Sequence, residues 1–114
     1  SIEAVCKACG INRVVRVNPY DLDKTLAILK AEIEAPEPSV VISEAACVLL
    51  AKKPVAEIRA IDEDVCISCG KCLDLGCPAI ESRTGNPSIN PLICMGCSMC
   101  EQICPTQAIQ PVKK

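Results

Sequence analysis

"CISCGKCLDLGCPAI" (residues 66–80) places four cysteines within twelve residues and sets a proline directly after the last. "CMGCSMCEQICPTQAI" (residues 94–109) does so again. In each run three cysteines stand three apart: Cys66, Cys69 and Cys72, then Cys94, Cys97 and Cys100. The fourth, Cys77 or Cys104, lies just before Pro78 or Pro105. What binds such a run decides how this half of the chain folds.

The repetition reaches beyond the cysteines. "AIDEDVC" (60–66) aligns with "SINPLIC" (88–94) at an offset of 28, which the first three cysteines keep. The fourth slips to 27, because four residues precede Cys77 and three precede Cys104. Ala79-Ile80 and Ala108-Ile109 follow as matching short strands, and "IESRTGNPSIN" reads as a hairpin about Thr84-Gly85-Asn86. The pattern is strand, cysteine loop, short helix, strand, made twice: an α+β module with a pseudo-twofold.

Four soft thiolates select zinc or an iron–sulfur cluster. Zinc ribbons use two C-x-x-C pairs across a long spacer. Three cysteines at steps of three with a fourth before proline is the bacterial [4Fe–4S] spacing, in which the fourth ligand serves the other cluster. Thiols at i, i+3 and i+6 of a loop reach three corners of a cube, and the pseudo-twofold supplies the fourth corner by exchange. The expectation is a bacterial-type 2[4Fe–4S] ferredoxin-like module. Cluster I takes Cys66, Cys69, Cys72 and Cys104. Cluster II takes Cys94, Cys97, Cys100 and Cys77. Pro78 and Pro105 fix the turn after each crossing ligand, and the extra residue before Cys77 lengthens one short helix or bulges it at Gly76. The competing readings are zinc and disulfides. An odd total of eleven cysteines and the tight spacing argue against a secreted disulfide scaffold.

Composition agrees. The 114 residues hold one aromatic, Tyr20, and no Trp, Phe or His, so the core is aliphatic side chains and whatever the cysteines hold. A net charge of −2 points to no nucleic acid, and no stretch has transmembrane length. Neither a phosphate-binding Gly-rich loop nor a nucleophile elbow is present, so acid–base catalysis has no evident carrier here.

The first half reads differently. Residues 2–8 suit a helix stopped by Gly10, and "RVVRV" (13–17) is a β-branched strand. In "DLDKTLAILKAEIEA" (21–35), Leu22, Leu26, Leu29 and Ile33 share one helix face. Asp21 suits the N-cap, Pro36 and Pro38 forbid continuation, and Glu32, Glu34 and Glu37 fall on the exposed side. "SVVIS" (39–43) is apolar at successive positions, as in parallel strands covered on both faces. Strand, helix, strand makes a βαβ unit, too little to cover a sheet, so residues 1–56 are expected to be the tail of a larger α/β domain. "AKKPVAE" (51–57) is the expected linker and 57–114 the second domain. Cys6, Cys9 and Cys47 read as buried small hydrophobes, and Lys52-Lys53 and Lys113-Lys114 as solvated.

"VRVNPYDLDKTLAILKAEIEA", "PSVVISEAACVLL" and the double cysteine module together resemble the C-terminal end of the alpha subunit of indolepyruvate:ferredoxin oxidoreductases. The resemblance covers nearly the whole chain. It implies an α/β tail, the βαβ of a thiamine-enzyme domain, followed by the two-cluster module. It further implies a parent enzyme holding thiamine diphosphate and Mg2+, which decarboxylates aryl 2-oxoacids to the acyl-CoA. The electrons leave singly, through the clusters, to an external ferredoxin. The remainder of the alpha subunit and a beta subunit are the implied partners, and an anaerobic cytoplasm the implied place. No thiamine-binding "GDG" element lies in this chain, so only the eight cluster cysteines carry over and none is catalytic. Two alternatives stay open: a small ferredoxin-like carrier or ferredoxin subunit of another oxoacid oxidoreductase, and a zinc-stabilised binding module.

Overall fold

The computed structural model describes residues 1–50 and 57–113. The expected linker, apart from Glu57, the boundary at 56, Lys52-Lys53 and Lys114 lie outside the described residues. The chain forms two compact units, Ser1–Cys47 and Val48–Lys114.

In the first unit, α1 (Ile2–Ala8) ends where Gly10 turns left-handed at φ 86°. There the N–H groups of Gly10 and Ile11 close onto the Lys7 and Cys6 carbonyls, satisfying the last turn. β1 (Arg13–Val17) and β2 (Ser39–Ser43) pair in parallel, Arg13 opposite Ser39 and Val17 opposite Ser43. Between them runs α2 (Leu22–Ile33), whose Asp21 side chain accepts the Lys24 N–H as N-cap. The strand–helix–strand order expected from sequence is therefore present.

Burial is not where periodicity placed it. Leu26, Leu29 and Ile33 are exposed, Ile33 at 82%. Thr25, Ile28 and Glu32 lie on the half-buried side of α2. Glu32 turns toward the sheet because Arg13 on β1 grips it with two bonds, Nε to Oε2 at 3.0 Å and Nη2 to Oε1 at 2.9 Å. A bidentate guanidinium outweighs the leucine stripe, for which this unit offers no second layer. Both strands are half-buried, with Val17 and Ile42 alone fully covered among the described residues of this unit.

In the second unit, β3 (Glu57–Ile61) pairs antiparallel with β6 (Ile109–Lys113). β4 (Ile80–Ser82) pairs antiparallel with β5 (Pro87–Ile89) across the expected hairpin. A 3-10 turn (Leu73–Leu75) closes the first cysteine loop and α3 (Met99–Ile103) the second. The repeat is visible in hydrogen bonds. Asp62 N–H donates to Ala108 C=O at 2.8 Å, and its counterpart Asn90 N–H to Ala79 C=O at 2.7 Å. Each half thus starts its cysteine loop by bonding to the alanine that ends the other half, and both alanines are buried, at 1% and 2%.

Candidate metal centre

The loops are built by two pairs of left-handed residues. Ser68 (φ 52°) and Gly70 (φ 77°) follow Cys66 at the second and fourth positions, and Gly96 (φ 69°) and Ser98 (φ 67°) follow Cys94 identically. Glycine takes this conformation without strain, while an L-residue there costs roughly 1–2 kcal/mol. The two serines hold it by side-chain bonds. Ser68 O–H donates to Asn86 Oδ1 at 2.7 Å, and Ser98 Oγ accepts from the Arg59 guanidinium and donates to Gly96 C=O. Each loop is entered through an Asx turn, Asp62 Oδ1 accepting from Asp64 N–H and Asn90 Oδ1 from Leu92 N–H, both at 3.0 Å.

Cys66, Cys69, Cys72 and Cys104 line one cavity of about 330 Å³, open solvent included. Ile61, Pro87, Ala108 and Ile109 form its apolar wall. Three of these thiols come from the first run and one from the second. Burial pushes the Cys72 thiol up, and charge on Cys66, Cys69 and Cys104 adds to it. Cys104 is raised by burial, but the Thr106 hydroxyl and the N–H groups of Thr106, Ala108 and Ile109 bring it net below the ordinary thiol value.

In the other run Cys94 and Cys100 are buried and Cys97 is exposed. Burial, then charge on Cys97 and Cys94, pushes Cys100 up to about 11. Cys77 packs against the core group of Ile58, Ala79 and Cys94. After each fourth cysteine the chain turns at proline, with Ile80 N–H bonded to Cys77 C=O at 3.0 Å and Gln107 N–H to Cys104 C=O at 3.3 Å.

This donor set fits iron–sulfur clusters. It is made of thiols alone, walled by aliphatic groups, and a cationic metal would favour the thiolate form of the buried Cys72 and Cys100 that burial disfavours. Among the described residues no three Cys, Asp or Glu side chains converge to hold a single ion; Cys66, Cys69, Cys72 and Cys104 line a volume instead.

Arg59, which sequence reading passed over, reaches this site. Its N–H donates to Cys94 Sγ at 3.4 Å. Its side chain, 11% exposed, donates from Nε to Glu101 Oε2 at 2.7 Å, beside Cys100. Extending the offset-28 alignment one residue upstream pairs Arg59 with Pro87 and would have marked it as the unlike position. The leftover cysteines differ from expectation: Cys6 is half-buried, but Cys9 and Cys47 are exposed. Cys9 follows the end of α1 as its cap, and Cys47 lies beyond β2, where no element of this unit covers it.

Residues 58–105 match the 4Fe-4S dicluster domain family. Over 115 aligned residues and its whole length, the chain is 40% identical to indolepyruvate oxidoreductase subunit IorA of Methanothermobacter thermautotrophicus. It is 35% identical to that of Thermococcus kodakarensis over 99% of its length, and 33% identical to that of Archaeoglobus fulgidus over 98%. It spans 19% of the length of each of these relatives.

Proposed function

From a chain related over its whole length to IorA subunits of indolepyruvate oxidoreductase, and carrying a 4Fe-4S dicluster domain, we propose an electron-exit module of a thiamine-dependent 2-oxoacid ferredoxin oxidoreductase. Residues 57–114 are its two-cluster domain, and residues 1–56 the end of a thiamine-enzyme α/β domain. Indolepyruvate is the substrate class, an external ferredoxin the acceptor, and the rest of an alpha subunit with a beta subunit the assembly. Thiamine diphosphate and magnesium are held by residues outside this chain. The cytoplasm of an anaerobe is the setting; among the described residues no helix is long and apolar enough to cross a membrane.

Cys66, Cys69, Cys72 and Cys104 hold one cluster, and Cys94, Cys97, Cys100 and Cys77 the other. When bound, such clusters supply one-electron transfer. The chain's own residues do three things for them. The left-handed positions at Ser68, Gly70, Gly96 and Ser98 bend each loop so that three thiols face inward. Pro78 and Pro105 turn the chain after the crossing ligand. Ile61, Ala108 and Ile109 wall the first site from water.

The observation that carries this reading is the cavity shared by Cys104 and the three cysteines of the other run. The test is anaerobic optical spectroscopy of the intact protein. Indolepyruvate with coenzyme A is expected to bleach the visible thiolate-to-iron absorption, and oxidised ferredoxin to restore it. Bleaching by dithionite but by no aryl 2-oxoacid would overturn the assignment to this enzyme.

A further inference from the structure

The pseudo-twofold is broken at one pair of positions. Arg59 N–H donates to Cys94 Sγ at 3.4 Å. The same step in the other half runs from residue 87 to Cys66, and residue 87 is proline, which has no N–H to give. Pro87 is buried, lines the cavity of Cys66, Cys69, Cys72 and Cys104, and opens β5, a place where a missing donor disturbs no ladder. Cys66 Sγ accepts instead from inside its own loop, from Ser68 N–H at 3.5 Å. The side chains widen the difference. Arg59 brings a nearly buried guanidinium, anchored on Ser98 and Glu101 within the second loop, where the first half has a pyrrolidine ring.

Exposure is matched at three of the four ligand pairs. Cys72 and Cys100 are both 8% exposed, Cys69 and Cys97 are both exposed, and Cys77 and Cys104 are both half-buried. Cluster potentials depend on hydrogen bonds to the sulfurs, on nearby charge and on exposure. The fourth pair differs, Cys94 being buried and Cys66 half-buried, and each site has donors of its own: Arg59 N–H on Cys94 in one, Ser68 N–H on Cys66 and the Thr106, Ala108 and Ile109 groups on Cys104 in the other.

We propose that the Arg59/Pro87 pair tunes the two clusters separately: the Arg59 N–H raises the potential of the cluster of Cys94, Cys97, Cys100 and Cys77, and Pro87 withholds the equivalent donor from the cluster of Cys66, Cys69, Cys72 and Cys104. Arg59 is the positioning and tuning residue, acting through Cys94 and the second loop. An N–H dipole on a thiolate favours the added negative charge, the guanidinium offsets the Glu101 carboxylate beside Cys100, and the proline withholds the N–H from the other site. This rests on the ligand sets proposed above.

The test is an EPR-monitored redox titration of the intact protein, with iron counted in the same samples. Pro87→Ala restores an N–H to the first site and is expected to raise the midpoint potential of the cluster of Cys66, Cys69, Cys72 and Cys104, leaving the other in place. Arg59→Gln, which leaves the Glu101 carboxylate unpaired, is expected to lower the potential of the cluster of Cys94, Cys97, Cys100 and Cys77 by a shift approaching tenfold in the one-electron equilibrium, about 59 mV. Arg59→Lys, which keeps a charge, is expected to recover part of it. If iron stays at the wild-type level and the potentials do not move, or Pro87→Ala moves that of the cluster of Cys94, Cys97, Cys100 and Cys77, the inference is overturned. A Pro87→Ala protein that fails to hold both clusters leaves the decision to the Arg59 pair, where equal potentials in Gln and Lys variants overturn it. Wild-type protein that never holds two clusters overturns the ligand sets themselves.

Discussion

Cys72 and Cys104 stand in different repeats, 32 positions apart, yet line one cavity, and charge on Cys104 helps raise the Cys72 thiol. A loop with three thiols per run cannot close a four-ligand site alone. The fourth is delivered by the other half, which also lends its terminal alanine to the first loop bond, Asp62 N–H to Ala108 C=O. The proposed ligand exchange and the observed backbone exchange follow the same pseudo-twofold.

The proposed crossed ligation makes the fourth cysteines separable. Cys77→Ser is expected to damage the cluster of Cys94, Cys97 and Cys100 and spare the other. Cys104→Ser is expected to do the reverse. Each should lower iron by about half, and EPR distinguishes which signal is lost. Loss of the cluster of Cys66, Cys69 and Cys72 in Cys77→Ser would show the pairing to be within runs.

The left-handed loop positions predict an asymmetric response to mutation. Gly70→Val forces a β-branched residue to φ 77°, with open space around it, so the cost is backbone strain of roughly 1–2 kcal/mol or more. Ser98→Gly relieves strain while removing the Arg59 contact. Cluster loss under mild chelation is expected to speed up clearly in Gly70→Val and only slightly in Ser98→Gly. Equal rates would deny the loop geometry.

Glu32 predicts an acid-side effect in the first unit. Its bonds from Arg13, foremost, with help from the Ser39 hydroxyl and the Arg13 charge, hold its carboxyl below the usual range. A lowered folded-state pKa stabilises above the ordinary carboxylate value and is lost as pH falls through the folded value. The protection of the β1 and β2 amides, relative to the intrinsic exchange rate at each pH, is therefore expected to fall on acidification below about pH 4.5. Glu32→Gln is expected to exchange faster at neutral pH and to lack that acid dependence. Parallel pH profiles would exclude the role.

The spacing of cysteine and proline made the second unit legible, because few backbones bring three thiols at steps of three to one side. β1, α2 and β2 were legible from β-branched runs, the Asp21 cap and the prolines that stop the helix. What sequence hid was relational. The leucines of α2 obey helical periodicity, but periodicity states only that they share a face, and Arg13 drew the Glu32 face to the sheet. Cys9 and Cys47 look apolar in sequence, yet each lies just past an element with nothing over it. Arg59 was hidden because its importance lies in the residue its repeat partner lacks.

The central claim is that eight cysteines of two runs hold two [4Fe–4S] clusters. Iron, acid-labile sulfide and zinc analysis of the intact protein, purified without oxygen, tests it most directly. About eight iron and eight sulfide attributable to this module per chain, with negligible zinc, is the predicted result. A colourless protein that carries zinc, or that stays far below eight iron after reconstitution, would contradict it.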